Sequence, residues 1–148
     1  MSDTFSSLTY HFVFSSKDRL PLMTRAVRER LFPYIGGIVR NLGGALVEVG
    51  GMPDHIHLVS TLPTSIAIAD AVRTIKANSS KWTNEQFTTS KFGWQRGYGA
   101  FSISRSMVPV VAEYVKNQEL HHRHRSFDDE LRVLLRVHGI EIDSKHLG

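Results

Sequence analysis

The sequence predicts an α+β fold in which a βαββαβ body is followed by two further helices. Three observations predict it. Apolar residues with period two and with period 3.6 alternate along the chain. A turn-rich GGMPD segment joins two neighbouring strand-like runs. Beyond Ser104 the chain carries only helix-like stripes bounded by cap residues. The 148 residues, 41% of them hydrophobic, suffice for one sizeable core, so residues 1–148 are read as a single domain.

The first strand is expected from Leu8 to Ser15, where aromatic and β-branched residues alternate with others. Lys17, Asp18, Arg19 and Pro21 end it in a polar turn. The first helix starts after Thr24 as N-cap, and Val27, Leu31, Tyr34, Ile35, Ile38 and Leu42 form its apolar stripe. Gly36 and Gly37 each weaken a helix by about 1 kcal/mol relative to Ala, which close packing on a sheet would justify. Gly43 and Gly44 end it. Strands from Ala45 to Val49 and from His55 to Thr61 flank the Gly50 to Asp54 turn and read as a hairpin. A second helix spans Ile66 to Asn84, with Ile68, Val72, Ile75, Ser79 and Trp82 on one face. A fourth strand follows from Tyr98 to Ser104. The third helix runs from Val108 to Leu120, with Pro109 suited to its first turn. The last runs from Phe127 to His138, opened by Ser126 and Asp129 as a capping box and stopped by Gly139. The first six elements match the ferredoxin-like βαββαβ pattern, an antiparallel sheet with helices on one face.

Composition narrows the chemistry. Cysteine is absent, which excludes disulfides, thiolate zinc sites and cysteine catalysis. No apolar run approaches the roughly 20 residues of a membrane span, and the N-terminus lacks the basic and apolar regions of a secretory signal. An intracellular, cytoplasmic protein is therefore expected. A net charge of +4 and a pI of about 9.6 favour an anionic partner such as nucleic acid. Histidine is abundant, and His121, His122 and His124 crowd together.

Two motifs carry chemistry. In PDHIHLV, His55 and His57 sit two apart in a strand, so both imidazoles point to one face while Ile56 points to the other. Such a pair can bind one metal ion. Taken alone, it fits equally well two partly exposed strand histidines. In AEYVKNQELHH, Tyr114 and Gln118 are four apart and share a helical face. A phenol can attack phosphorus, and a carboxamide oxygen can complete a metal site without adding charge. An isolated Tyr more often packs in a core and an isolated Gln is more often solvated.

Together these segments resemble the single-tyrosine HUH transposases, the insertion-sequence-200-like family. The two histidines around a hydrophobic residue are His55, Ile56 and His57, and the Tyr-x-x-x-Gln helix is matched from Tyr114 to Gln118. HFVFSSKDR, KWTNEQF, WQRGYGAFSIS and HHRHRSFDDEL occur in the family's order, so the resemblance spans nearly the whole chain. The C-terminal SKHLG lies outside it.

The resemblance implies a DNA transposase that cuts and rejoins single strands by transesterification through a 5′-phosphotyrosine. It implies Tyr114 as nucleophile and His55, His57 and Gln118 as ligands of a divalent metal, Mg²⁺ or Mn²⁺, with Zn²⁺ able to bind the same groups. It also implies a homodimer acting on hairpin-bearing single-stranded DNA. Lys17, Arg19, Lys76, Lys81, Arg96 and Arg105 are candidate DNA contacts, and Trp82, Trp94 and Tyr98 candidate base-stacking surfaces. His121 and His122 fall three and four residues beyond Gln118, where they can support the metal site from outside.

Three other readings compete. A related HUH nickase, a replication initiator or a domesticated repeat-associated transposase, would use the same Tyr114 chemistry on another DNA. A non-catalytic ferredoxin-like nucleic-acid-binding module would need neither metal nor Tyr114, but the usual aromatic motif is not evident in LTYHFVF or AFSIS. A two-histidine phosphoesterase would call for a second His-x-Ser/Thr element, and none is found.

Overall fold

A computed structural model describes residues 3–88, 91–123 and 125–141. His124 and the C-terminal SKHLG segment, both singled out in the sequence, lie outside the described residues. The elements follow the expected order: β1 (Thr9–Ser15), α1 (Arg25–Asn41), β2 (Ala45–Met52), β3 (His55–Thr61), α2 (Ile68–Gln86), β4 (Gly99–Ile103), α3 (Val108–Lys116), α4 (Gln118–His121) and α5 (Phe127–Val137). The strands form one sheet in the order β2-β3-β1-β4, every neighbouring pair antiparallel. This is the ferredoxin-like arrangement, with β1 and β3 inside.

Strand pleating divides the chain into two cores. Phe12, Phe14, Ile56 and Leu58 face α1 and α2, where Val27, Leu31, Ile35, Val72 and Ile75 cover them. The intervening residues face the other way. There Val13 and Phe101 pack with Phe127, Leu131, Leu134 and Leu135 of α5. The expectation of helices on one face holds for α1 and α2, and α3 to α5 cover the second face. A polar site can therefore be enclosed between sheet and C-terminal helices.

Local signals act as the sequence implies at both helix starts. Thr24 Oγ1 accepts a hydrogen bond from the Val27 amide at 3.3 Å, and Ser126 Oγ accepts one from Asp129 at 3.2 Å. Gly139 stops α5 with φ of 70°, a conformation that favours glycine.

Three details differ from expectation. First, β2 extends through Gly50, Gly51 and Met52, so the hairpin turn shrinks to Pro53 and Asp54. Second, the helix expected from Val108 to Leu120 breaks at Asn117, whose ψ of 32° is not helical. Third, close packing does not require Gly36, since an added Cβ would meet only Leu46 Cδ2 at 3.5 Å, an ordinary contact. Among the described residues no helix is long and apolar enough to cross a membrane.

Candidate metal and nucleophile site

The strand pairing sets the site. His57 lies opposite Gly50 on β2 and Val13 on β1, and His55 opposite Met52 and Ser15. Both imidazoles point to the face covered by the C-terminal helices, and both are completely buried. The reading of two partly exposed strand histidines is thereby corrected: the helices that close the second face remove them from water.

Gly50 lets α3 approach. A Cβ built there would lie 1.8 Å from the Val115 carbonyl oxygen, so only glycine admits the end of α3 against β2. That close approach carries Tyr114 and Gln118 over the histidines. The break at Asn117 does not separate them, because His121 N–H still bonds to Asn117 O and His122 N–H to Gln118 O. Glu119, beside Gln118, is tied to Arg25 and Arg28 of α1, each at 3.2 Å.

Within this one chain the four expected residues converge. Gln118 Oε1 lies 3.0 Å from His55 Nε2. Tyr114 sets its ring edge-on to His57, with centroids 6.1 Å apart. His122 Nε2 lies 3.1 Å from Gln118 Oε1, and His121 stacks on the Tyr114 ring at 4.5 Å.

Three further residues join that sequence reasoning missed. Glu130 of α5 places Oε1 2.8 Å from His57 Nε2, and its Oε2 accepts a hydrogen bond from the Tyr114 hydroxyl. Asp54 Oδ1 accepts a hydrogen bond from His55 Nδ1 at 2.7 Å. His11 of β1 shares a hydrogen bond between its Nε2 and His57 Nδ1 at 2.7 Å. A sequence signal existed for Glu130: with Phe127, Leu131 and Leu134 it falls at i, i+3, i+4 and i+7, an acid on the apolar stripe of α5. For Asp54 the signal was its adjacency to His55.

Burial and the Asp54 and Glu130 carboxylates set the electrostatics of the cluster. Burial opposes charge on His55, but the Asp54 and Glu130 carboxylates outweigh it and raise the imidazole to about 9. Burial holds His57 below its ordinary value against the pull of Glu130. Burial, with His57 beside it, lowers His11 to about 3. Burial and the Glu130 carboxylate push the Tyr114 phenol up, so it is held protonated in this arrangement. Hydrogen bonds from His55 and His57 pull Glu130 far down despite its burial.

The donor set fits a divalent metal. His55 gives its Nδ1–H to Asp54, so in the neutral ring Nε2 is a lone pair facing Gln118 Oε1. Lone pair against oxygen repels unless a proton or a metal cation lies between them. A carboxylate fixing the far nitrogen of an imidazole is also the usual support of a metal-binding histidine. His55, His122 and Glu130 bring ligand atoms within 4.8 Å of one another.

The candidate DNA contacts divide. Lys17, Lys81, Arg96 and Arg105 are exposed. Arg19 pairs with Asp128 and lies over the Phe127 ring at 5.2 Å. Lys76 is half-buried, donates to the Gln95 carbonyl at 2.9 Å, and burial lowers its pKa. With Arg73, Arg96 and Tyr98 it lines an open cleft of about 460 Å³. Two of the proposed stacking surfaces are committed to the fold. Trp82 stacks on Tyr34 at 4.5 Å, and Trp94 packs edge-on to Phe14 and Phe92 while its Nε1–H bonds Ser79 Oγ. Tyr98 is 43% exposed and remains available.

The chain is similar to known transposases in sequence and in fold. A family model described as "Transposase IS200 like" matches residues 4–118. The transposase for insertion sequence element IS200 of Salmonella typhimurium is 27% identical over 119 residues, covering 74% of this chain and 75% of that one. The ISDra2 transposase TnpA of Deinococcus radiodurans is 24% identical over 117 residues, covering 75% of this chain and 84% of that one. Two solved structures share the fold. The crystal structure of a putative transposase from Deinococcus radiodurans aligns with a TM-score of 0.65 at 22% identity, over 80% of this chain and 96% of that one. A REP-associated tyrosine transposase bound to a REP hairpin aligns with a TM-score of 0.59 at 18% identity, over 82% of this chain and 74% of that one.

Proposed function

The chain belongs to the IS200-like transposase family, and from that premise we propose that it cuts and rejoins single-stranded DNA by metal-dependent transesterification with Tyr114 as nucleophile. The observation that carries this reading is the meeting of the half-buried Tyr114 with the buried His55, His57 and Gln118 in one cluster.

Tyr114 Oη attacks the scissile phosphorus. The Oη–P bond forms, the P–O3′ bond breaks, and the strand is left with a free 3′-hydroxyl and a 5′-phosphotyrosine. A second 3′-hydroxyl reverses the step and reseals the strand without ATP. A phenol, with pKa near 10, leaves phosphorus more readily than an alkoxide, so the linkage is reversible. His55 Nε2, His57 Nε2 and Gln118 Oε1 would hold the metal, Mg²⁺ or Mn²⁺. When bound, it polarises a phosphate oxygen as a Lewis acid. Imidazole ligands favour Mn²⁺ over Mg²⁺.

Asp54 orients His55. Asp54→Asn is expected to weaken Mn²⁺ binding by about 10- to 100-fold with little change in melting temperature, as calorimetry and a thermal melt would measure.

The substrate is proposed to be single-stranded DNA with a hairpin. The structurally similar REP-associated protein is described as bound to a REP hairpin, which supports this reading. The cleft with Arg73, Lys76, Arg96 and Tyr98 offers positive charge and one aromatic face to a strand, as single-strand binding requires. A homodimer is proposed, as the family resemblance implies.

The test incubates the full chain and Mn²⁺ with labelled single strands from the flanks of its native locus. A protein–DNA adduct that survives denaturation, and that chelator abolishes, is expected. No adduct with any strand would favour the non-catalytic nucleic-acid-binding module.

A further inference from the structure

Glu130 is the best-connected polar side chain of the site, and the reaction as proposed gives it no role. It enters from α5 and is 1% exposed. Its Oε1 lies 2.8 Å from His57 Nε2, 3.1 Å from His122 Nε2 and 3.3 Å from His55 Nε2. Its Oε2 accepts from Gln118 Nε2 at 3.1 Å and from the Tyr114 hydroxyl. Imidazole nitrogens of three histidines thus converge on one oxygen, and the nucleophile hangs on the other.

A carboxylate so far from water needs compensating positive charge. Among the described residues no Lys or Arg forms an ion pair with it, and the groups that meet its Oε1 are three imidazole nitrogens, each able to bind a metal ion. The surroundings also crowd acceptors together, since Gln118 Oε1 and Glu130 Oε1 both face His55 Nε2 and His122 Nε2. A divalent cation beside the Glu130 carboxylate would place positive charge between these acceptors, and the ligand atoms of His55, His122 and Glu130 lie within 4.8 Å of one another.

We propose that Glu130 is itself a ligand of the metal through Oε1, beside His55, His57 and Gln118, and that its Oε2 holds the Tyr114 hydroxyl. One carboxylate then ties the nucleophile to the cation. This rests on the metal-dependent reading above and adds an anionic ligand to a set otherwise neutral. The added charge partly neutralises the cation, and an oxygen ligand suits Mg²⁺ and Mn²⁺ better than a purely nitrogen and amide set does. Glu130 is therefore a ligand and a positioning residue for Tyr114.

The test titrates Mn²⁺ alone into the full-length protein and follows free Mn²⁺ by electron paramagnetic resonance, with circular dichroism melts as a check of folding. Wild type, His57→Ala, Glu130→Gln and Glu130→Asp are compared. Glu130→Gln is expected to weaken Mn²⁺ binding at least about 10-fold. Glu130→Asp keeps the charge on a shorter arm and is expected to bind more tightly than Glu130→Gln. If His57→Ala loses Mn²⁺ while Glu130→Gln binds as well as wild type, the inference fails and the metal site stands. Tighter binding by Glu130→Gln also overturns it, and would make Glu130 a plug that the metal must displace. If wild type binds no Mn²⁺, the inference falls together with the metal-dependent reading.

Discussion

Tyr114→Phe is expected to abolish covalent capture of the cleaved strand and to lower cleavage by at least about 10⁴-fold, the scale on which loss of an enzymatic nucleophile acts. The change removes one oxygen. The ring keeps its contacts with His57 and His121, at centroid distances of 6.1 and 4.5 Å. Glu130 keeps its bonds to His57, His122 and Gln118, so neither of its oxygens loses its last partner. Stability and Mn²⁺ binding are therefore expected to change little while chemistry disappears. Denaturing gels for the adduct and a thermal melt separate the two. Full adduct formation by this variant would move the nucleophile elsewhere.

Gly50→Ala is expected to cost about 3 kcal/mol or more of stability, because overpacking against backbone cannot be relieved by a rotamer change. The new Cβ would lie 1.8 Å from the Val115 carbonyl oxygen and 3.4 Å from Gln118 Cγ. The end of α3 must lift from β2, and Tyr114 and Gln118 ride on it. Misplacing a reacting group by about 1 Å can cost on the order of 100-fold in rate, so cleavage should fall even where the protein still folds. Gly36→Ala is the control. Its Cβ meets only Leu46 Cδ2 at 3.5 Å within a helix, and it is expected to stabilise by up to about 1 kcal/mol. Denaturant unfolding of both variants measures the contrast.

The fold was readable where the cause is local. Pleating alone put His55 and His57 on one face, and Thr24 and Ser126 cap the helices that their positions announce. Gln118 was readable as one turn beyond Tyr114, although the helix between them breaks at Asn117. What could not be read depends on packing between distant segments. The one local mark of Glu130 against Asp128 and Asp129 is its place on the apolar stripe of α5, which does not say what it will meet. Only the docking of α5 on the sheet turns one acid inward and leaves Asp129 exposed. His11 meets His57 because β1 pairs with β3 in one register. Trp82 and Trp94 looked available for bases because aromatic residues serve cores and nucleic acids equally well, and here both complete the core under α1 and α2.

The central claim is a covalent DNA linkage to one particular tyrosine out of four. Its most direct test is to trap the adduct formed with Mn²⁺ and a labelled single strand, digest protein and DNA, and locate the attached nucleotide by tandem mass spectrometry. The account predicts a 5′-phosphate ester on the peptide containing Tyr114 and on no other. A nucleotide on the exposed Tyr98, on Tyr10 or on Tyr34 would contradict it.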